Sequence, residues 1–264
     1  MSEKDAYKQS DGLQVVGTGL PRTGTLSLYT ALGILGITPC HHFKTVMDDG
    51  FPYRQSQRWQ QACKTKDAKA RRDVIRQIYS DGGFKSGVDY PTSHFVEDLV
   101  ELYPDAKFIH GIRSSPQQWR KSFNGTIGRV RSSAFYYSCF LFPQQRFSLQ
   151  PLLGVLDACN IRNFHAGLVS SNDDVEVYHR HNAHVRQVVP ASRLLEFDPK
   201  QGWGPLCQFL NVPIPTDEYG NELDYPHVND TEKLNKVLNM MIAVGCVVWV
   251  AAIAATYFIV ARLW

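Results

Sequence analysis

No two cysteines in this chain stand at metal or redox spacing. The six (Cys40, Cys63, Cys139, Cys159, Cys207 and Cys246) are scattered, with no CxxC and no histidine at ligand distance. That pattern speaks against a zinc site and predicts reduced, mostly buried thiols in a cytosol-facing domain. Strong charge of either sign is also missing: 28 Lys and Arg face 25 Asp and Glu, a net charge of +3. The balance leaves no basic footprint for nucleic acid. There is no internal repeat and no low-complexity tract. The polar, charged stretch Met1 to Asp11 is no signal peptide.

The sequence also has a phosphate-loop shape from which key parts are absent. Leu13 to Gly17 is a short apolar strand running into a glycine-rich turn, and a helix is predicted from about Thr25. Unpaired N–H groups at such a helix start, together with its dipole, favour an anion. Gly19 and Gly24 have the spacing of the two glycines in GxxxxGK[ST]. Thr25, however, stands where the lysine should be, and Leu26 replaces the hydroxyl that would hold Mg²⁺. One cation survives, at Arg22. The loop reads as an anion cradle that works without a metal, which suits sulfuryl transfer because the transferred group carries less charge than a phosphoryl group.

Pro21-Arg22-Thr23-Gly24-Thr25 resembles the Pro-Lys/Arg-Ser/Thr-Gly-Thr loop of sulfotransferases. In that family the loop cradles the 5′-phosphosulfate of 3′-phosphoadenosine 5′-phosphosulfate (PAPS). The resemblance implies donor contacts from Arg22, Thr23, Gly24, Thr25, Leu26 and Ser27. A second segment extends it. Lys107 to Ile112 reads as an apolar strand ending at Arg113, and Ser114-Ser115-Pro116 opens a helix that carries Trp119 inward. A nucleoside-triphosphatase often presents a metal-binding Asp at such a strand end. Sulfotransferases place an Arg there and a Ser about two turns later, and both hold the 3′-phosphate. Arg113 and Ser122 match, with a spacing one residue longer than in the commonest cytosolic enzymes, so that Lys121 could partly share the role.

The remainder resembles the branch of that superfamily with a Gly-Trp-x-Pro-Leu-Cys signature, here Gly202 to Cys207. Phe209-Leu210-x-Val212-Pro213, Pro226-His227-x-Asn229, Asp89-Tyr90-Pro91 and Tyr178-x-x-His181-x-x-x-Val185-Arg186 also match. The Arg-Lys-Gly donor segment of the cytosolic enzymes has no counterpart, so donor contacts in the last third stay unassigned.

Alternation of strands and helices predicts an α/β fold: a parallel sheet flanked by helices, of P-loop sulfotransferase type, with ligands at the strands' carboxyl ends. Helices are expected near Gln57–Lys64, Lys69–Tyr79, Pro91–Tyr103, Leu152–Ser170 and Asp173–Val189, and a last strand over Arg193–Phe197. Arg71, Arg72 and Arg76 are expected on a solvated helix face. The aromatic stretch Phe135 to Phe147 fits either a lid over an apolar acceptor or core packing.

Transfer to a hydroxyl needs a group to take its proton. The cytosolic relatives use the His of a His-x-Pro. Asp89 stands in the equivalent place here, as the expected base if burial raises its pKa, or as a helix cap. His41 and His42 come second.

Val237 to Val260 is uncharged and predominantly apolar, and as a helix of about 36 Å it would cross a bilayer. Lys233 and Lys236 before it, against Arg262 after it, favour a cytosolic domain. The expected organisation is a polar tail (1–12), a sulfotransferase-like domain (13–232) and a tail anchor (237–260) in the endoplasmic reticulum. The expected function is sulfuryl transfer from PAPS to a lipophilic small-molecule acceptor at the bilayer, with no metal and no nucleic acid. An inactive binding or scaffolding protein on the same fold, and a P-loop kinase or nucleoside-triphosphatase, are the alternatives.

Overall fold

Parallel pairing of short, buried strands organises the chain. The computed structural model describes residues 12–48, 54–131, 135, 137–138, 173–228 and 231–263. The tail up to residue 11, the expected helix over 152–170, Asn229 and most of the stretch 135–147 lie outside them. Among the described residues the strands are β1 (Val15–Gly17), β2 (Cys40–His41), β3 (Ser86–Gly87), β4 (Lys107–Gly111) and β5 (Leu194–Phe197). All pairs are parallel, in the order β2-β3-β1-β4-β5.

Side chains alternate across this sheet, so each strand feeds both layers of core. Val16 and Phe108 point to one face, where they meet Trp59, Ile75, Tyr79 and Leu99. Val15 and Ile109 point to the other, against Leu28, Leu32, Phe197 and Leu206. The first layer comes from α3 (Arg54–Lys64), α4 (Ala68–Asp81), α5 (Val96–Leu102) and the far part of α7 (Asp173–Val188). The second comes from α1 (Thr25–Ile34) and α8 (Trp203–Leu210). Between β2 and α3 lies α2 (Phe43–Asp48), and α6 (Pro116–Asn124) follows β4. The chain leaves β1 for β2 and β3 on one side and returns to β4 on the other. The crevice of such a sheet opens at the carboxyl ends of these strands.

Local signals set the helix starts. Asp67 accepts the Ala70 N–H ahead of α4, and Ser115 accepts the Gln118 N–H ahead of α6, whose first residue is Pro116. The expected helix from Pro91 to Tyr103 is broken in two: a 3₁₀ turn over Thr92–His94 and then α5. The long α9 (Thr231–Leu263) is apolar enough to cross a membrane by length and composition, and most of its apolar stretch is exposed.

Two expectations need correction. Arg71 and Arg72 are not merely a solvated face. Arg71 donates from Nε and Nη2 to the two oxygens of Asp98 at 2.7 and 3.0 Å, and Arg72 Nε adds a contact at 3.2 Å. Asp98 is buried in α5, so its charge requires these partners. The thiols also differ: Cys40, Cys207 and Cys246 are free, but Cys63 is disulfide-bonded.

The Asp98 clamp joins α4 to α5. Asp98→Ala strands two guanidiniums beside an apolar layer and is expected to cost about 2–3 kcal/mol of stability. Denaturant unfolding of the full chain in detergent measures it, and a loss below about 0.5 kcal/mol, the level of an exposed pair, contradicts the clamp.

Candidate active site

Four strand ends converge on one small pocket. It is lined by Gly17, Gly19, Thr23, Gly24 and Thr25 from the β1 side, Val88 and Asp89 after β3, Gly111 at the end of β4, and Phe197 and Pro199 after β5. Backbone approaches this close allow no side chain. A Cβ on Gly19 would stand 2.4 Å from Thr23 Oγ1 and 2.9 Å from Gly111 Cα. Gly24, at φ 89°, would drive a Cβ to 2.4 Å from Pro199 Cγ. Glycine is the residue that meets both demands.

The loop ends in an open helix start. Gly24 caps α1 without a side-chain hydrogen bond, and no acidic residue occupies the first turn. The first N–H groups of α1 therefore point out with the positive end of its dipole behind them. Thr23 closes the turn by donating from both N and Oγ1 to the Leu20 carbonyl. Ser27 faces the other way: it is buried, and its hydroxyl accepts the N–H of Val228 at 3.0 Å. Leu26 is half-buried.

Arg22 and Arg113 lie side by side. Arg22 adopts a left-handed backbone, φ 75°, which is costly for a non-glycine residue and typical of functional turns. Its Nε donates to Ser122 Oγ at 3.3 Å, and its carbonyl accepts from Arg113 Nε at 2.8 Å. Burial, and then the adjacent Arg22 charge, lower the Arg113 pKa from its ordinary value. Two neighbouring guanidiniums at an open helix start fit a group with more than one negative charge. The sequence-predicted set Arg22, Arg113 and Ser122 is thus one cluster.

The pocket's other wall carries a carboxylate. Asp89 is buried at φ 66°. Burial raises its pKa above the ordinary carboxylate value, partly offset by His42, the Tyr90 N–H, the Thr25 hydroxyl and Arg22. His42 Nε2 lies 3.4 Å from Asp89 Oδ2. His42 Nδ1 accepts the Lys44 N–H at 3.0 Å, so the proton is assigned to Nε2, on the side of Asp89. His42 Nε2 and Asp89 Oδ1 are both buried polar atoms with no hydrogen-bond partner. In a native site such atoms ask for a ligand group.

His41 is elsewhere. It is fully buried, and its ring lies 5.2–5.6 Å from those of Trp59, Tyr79 and Phe84. Its Nε2 accepts from Trp59 and its Nδ1 contacts Thr92 at 3.4 Å. Burial pushes its pKa down to about 3. Both nitrogens are engaged on the core side of the sheet. The structure brings His42 beside Asp89 and leaves His41 out.

Several supporting residues had no role in the sequence reading. Trp119 donates its indole N–H to the Pro21 carbonyl at 2.9 Å, and Tyr178, tilted against Trp119, accepts the Arg113 N–H at 2.8 Å. Thr18 is held twice: His181 Nε2 donates to its carbonyl at 2.7 Å, and its hydroxyl meets His110 Nδ1 at 3.1 Å. His110 Nε2 in turn donates to Asn182 at 3.0 Å. Burial lowers the pKa of His110 to about 4 and of His181 to about 3. They serve as neutral braces. The matched pattern Tyr178-x-x-His181 was the available signal for this bracket.

The Gly-Trp-x-Pro-Leu-Cys signature is structural. Gly202 opens α8, and Trp203 donates to the Leu223 carbonyl at 2.8 Å and packs on Tyr225. This anchors the segment that returns to Ser27. Of the aromatic stretch, Phe135 and Ser138 are buried and Tyr137 is exposed, and the rest lies outside the described residues.

Comparison with known proteins agrees with this geometry. Residues 14–234 match the family model described as a sulfotransferase domain. The chain is also 32% identical over 220 residues to the Ava biosynthesis cluster protein M of Aspergillus versicolor, covering 82% of this chain and 80% of that protein. A glycine cradle, a paired-arginine cluster and a family match across most of its length lead to one conclusion: the chain belongs to the sulfotransferase family.

Proposed function

We propose that the chain transfers a sulfuryl group from PAPS to a hydroxyl of a lipophilic small molecule at a membrane surface. The observation that carries the reading is the buried Asp89 carboxylate, one oxygen unpartnered, in the same pocket as the glycine loop. Arg22 and the open start of α1 hold the 5′-phosphosulfate. Arg113 and Ser122 hold the 3′-phosphate. The donor, when bound, supplies a sulfuryl group on a good leaving group. Asp89 accepts the proton of the acceptor hydroxyl as its oxygen attacks sulfur. His42, protonated on Nε2, orients the carboxylate. The apolar α9 and the exposed Tyr137 support a lipophilic acceptor. The relative's printed name, a biosynthesis cluster protein, supports a small-molecule product. Lys233 and Lys236 before the apolar stretch favour a cytosolic domain. The Cys63 disulfide points the other way, toward an oxidising compartment.

Calorimetry on the full chain in detergent is expected to show tight binding of 3′,5′-ADP without added metal. Arg113→Ala should weaken it by on the order of 2–4 kcal/mol, through loss of a charge-assisted contact to a desolvated phosphate. Tighter binding of ATP with Mg²⁺ than of 3′,5′-ADP would replace this reading with a kinase or nucleoside-triphosphatase.

The base is tested by Asp89→Asn, which keeps the shape but cannot accept a proton. With a panel of lipophilic alcohols, turnover should fall roughly 10²–10⁴-fold while donor affinity changes little. Because the Asp89 pKa is raised, the acid limb of the rate profile should lie above the ordinary carboxylate range. The stability sign is opposite. A carboxyl with a raised folded-state pKa favours folding while protonated, and that contribution is lost as pH rises through the folded-state pKa. Asp89→Asn should therefore melt higher than the parent at neutral pH. Near-normal turnover in this variant would make Asp89 a structural residue.

Asn124 reports on topology. It is exposed at the end of α6 in an Asn-Gly-Thr acceptor sequence. A cytosolic domain will carry no glycan there. A mobility shift reversed by a glycan-removing enzyme would place the domain in the lumen, as the Cys63 disulfide suggests.

A further inference from the structure

The apolar helix is fastened to the loop it follows by more than 200 residues. Arg22 Nη2 donates to Thr231 Oγ1, the first residue of α9, at 2.6 Å. One face of the helix continues the attachment. Arg129 donates from Nη1 to Asn235 at 2.7 Å and from Nη2 to Asn239 at 2.5 Å. Thr231, Asn235 and Asn239 are spaced by four residues, so they form one polar stripe. Leu238 is buried beside it. Further along, a Cβ on Gly245 would collide with the Ser138 backbone, and Trp249 donates to the Tyr137 carbonyl at 2.7 Å.

A flexible tether would need none of these contacts. Ser122 on Nε and Thr231 on Nη2 are among the partners of the Arg22 side chain. Ser122 belongs to the domain, and Thr231 belongs to the helix. Both therefore help to set the guanidinium plane. Held in a left-handed backbone beside the Arg113 guanidinium, Arg22 is repelled by its neighbour. A hydroxyl on the outer nitrogen fixes the fork against that repulsion.

We propose that the first turns of α9 are part of the anion site, with Thr231 as a positioning residue that orients Arg22 toward the donor's 5′ group. This rests on the donor reading given above for Arg22. On this view the anchor does more than localise the enzyme: its seating on Arg22 and Arg129 sets donor affinity. Asn235 and Asn239 register the helix so that Thr231 meets Arg22.

The test is a double-mutant cycle on the full chain in detergent micelles, read as the dissociation constant for 3′,5′-ADP. Thr231→Val should weaken binding roughly ten- to hundred-fold, the worth of a hydrogen bond to a charged group. Thr231→Ala should match it, and Thr231→Ser should restore most of the affinity. In an Arg22→Ala background, Thr231→Val should have no further effect, because nothing remains to be positioned. Unchanged melting temperatures would show that folding is not the route. If Arg22→Ala weakens binding and Thr231→Val does not, the positioning role is overturned and the donor site stands. Full additivity of the two losses, or failure of Thr231→Ser to restore binding, overturns it as well. If Arg22→Ala itself binds 3′,5′-ADP normally, the donor-site reading has failed rather than the coupling.

Discussion

The site depends on one backbone contact that admits no side chain. Gly19, leaving β1, packs on Gly111 at the end of β4 with Thr23 between them. This contact brings the loop over the sheet edge. It aligns the start of α1 with the crevice and lets the Arg113 side chain reach the Arg22 carbonyl. Any Cβ at Gly19 pushes the loop off β4 and separates the two arginines. The surrounding braces (Trp119 on Pro21, Tyr178 on Arg113, His181 and His110 on Thr18) act on the same stretch of backbone. They hold by geometry what a metal-dependent loop would hold in part by coordination.

What the sequence made legible was local. The glycine spacing, the strand-to-helix change at Thr25, the strand ending at Arg113 and the Ser115-Pro116 helix start each depend on a few neighbouring residues. The base was harder because its setting is made by register. His41 pairs with Gly87, and both lie level with Val16 of β1. His41 therefore points into the Val16 layer of the core, and His42, one residue on, points to the other face. Two adjacent histidines look equivalent in sequence, but the pleat separates them. The same register carries His42 to Asp89, so two residues read as rivals stand as a pair. Arg71 and Arg72 were misread for a similar reason: their partner, Asp98, belongs to a different helix.

Buried polarity divides here into two kinds. His41, His110 and His181 lose their basicity to burial, but each finds partners for its nitrogens, which is how an interior tolerates polar rings. Asp89 and His42 are buried too, but they keep atoms unsatisfied. That asymmetry is maintained beside the glycine loop. Unsatisfied groups cost stability, and a fold commonly carries such a cost at the place where it acts.

The contacts of Gly245 and Trp249 with Ser138 and with the Tyr137 carbonyl fall within the apolar stretch of α9. On the reading that α9 crosses a bilayer, they would hold the domain close against the membrane rather than on a free stalk, with the exposed Tyr137 beside the lipid. An oily substrate dissolved in the leaflet would approach by lateral diffusion in two dimensions. Its partition into the membrane, rather than its solubility in water, would set the concentration that the protein meets.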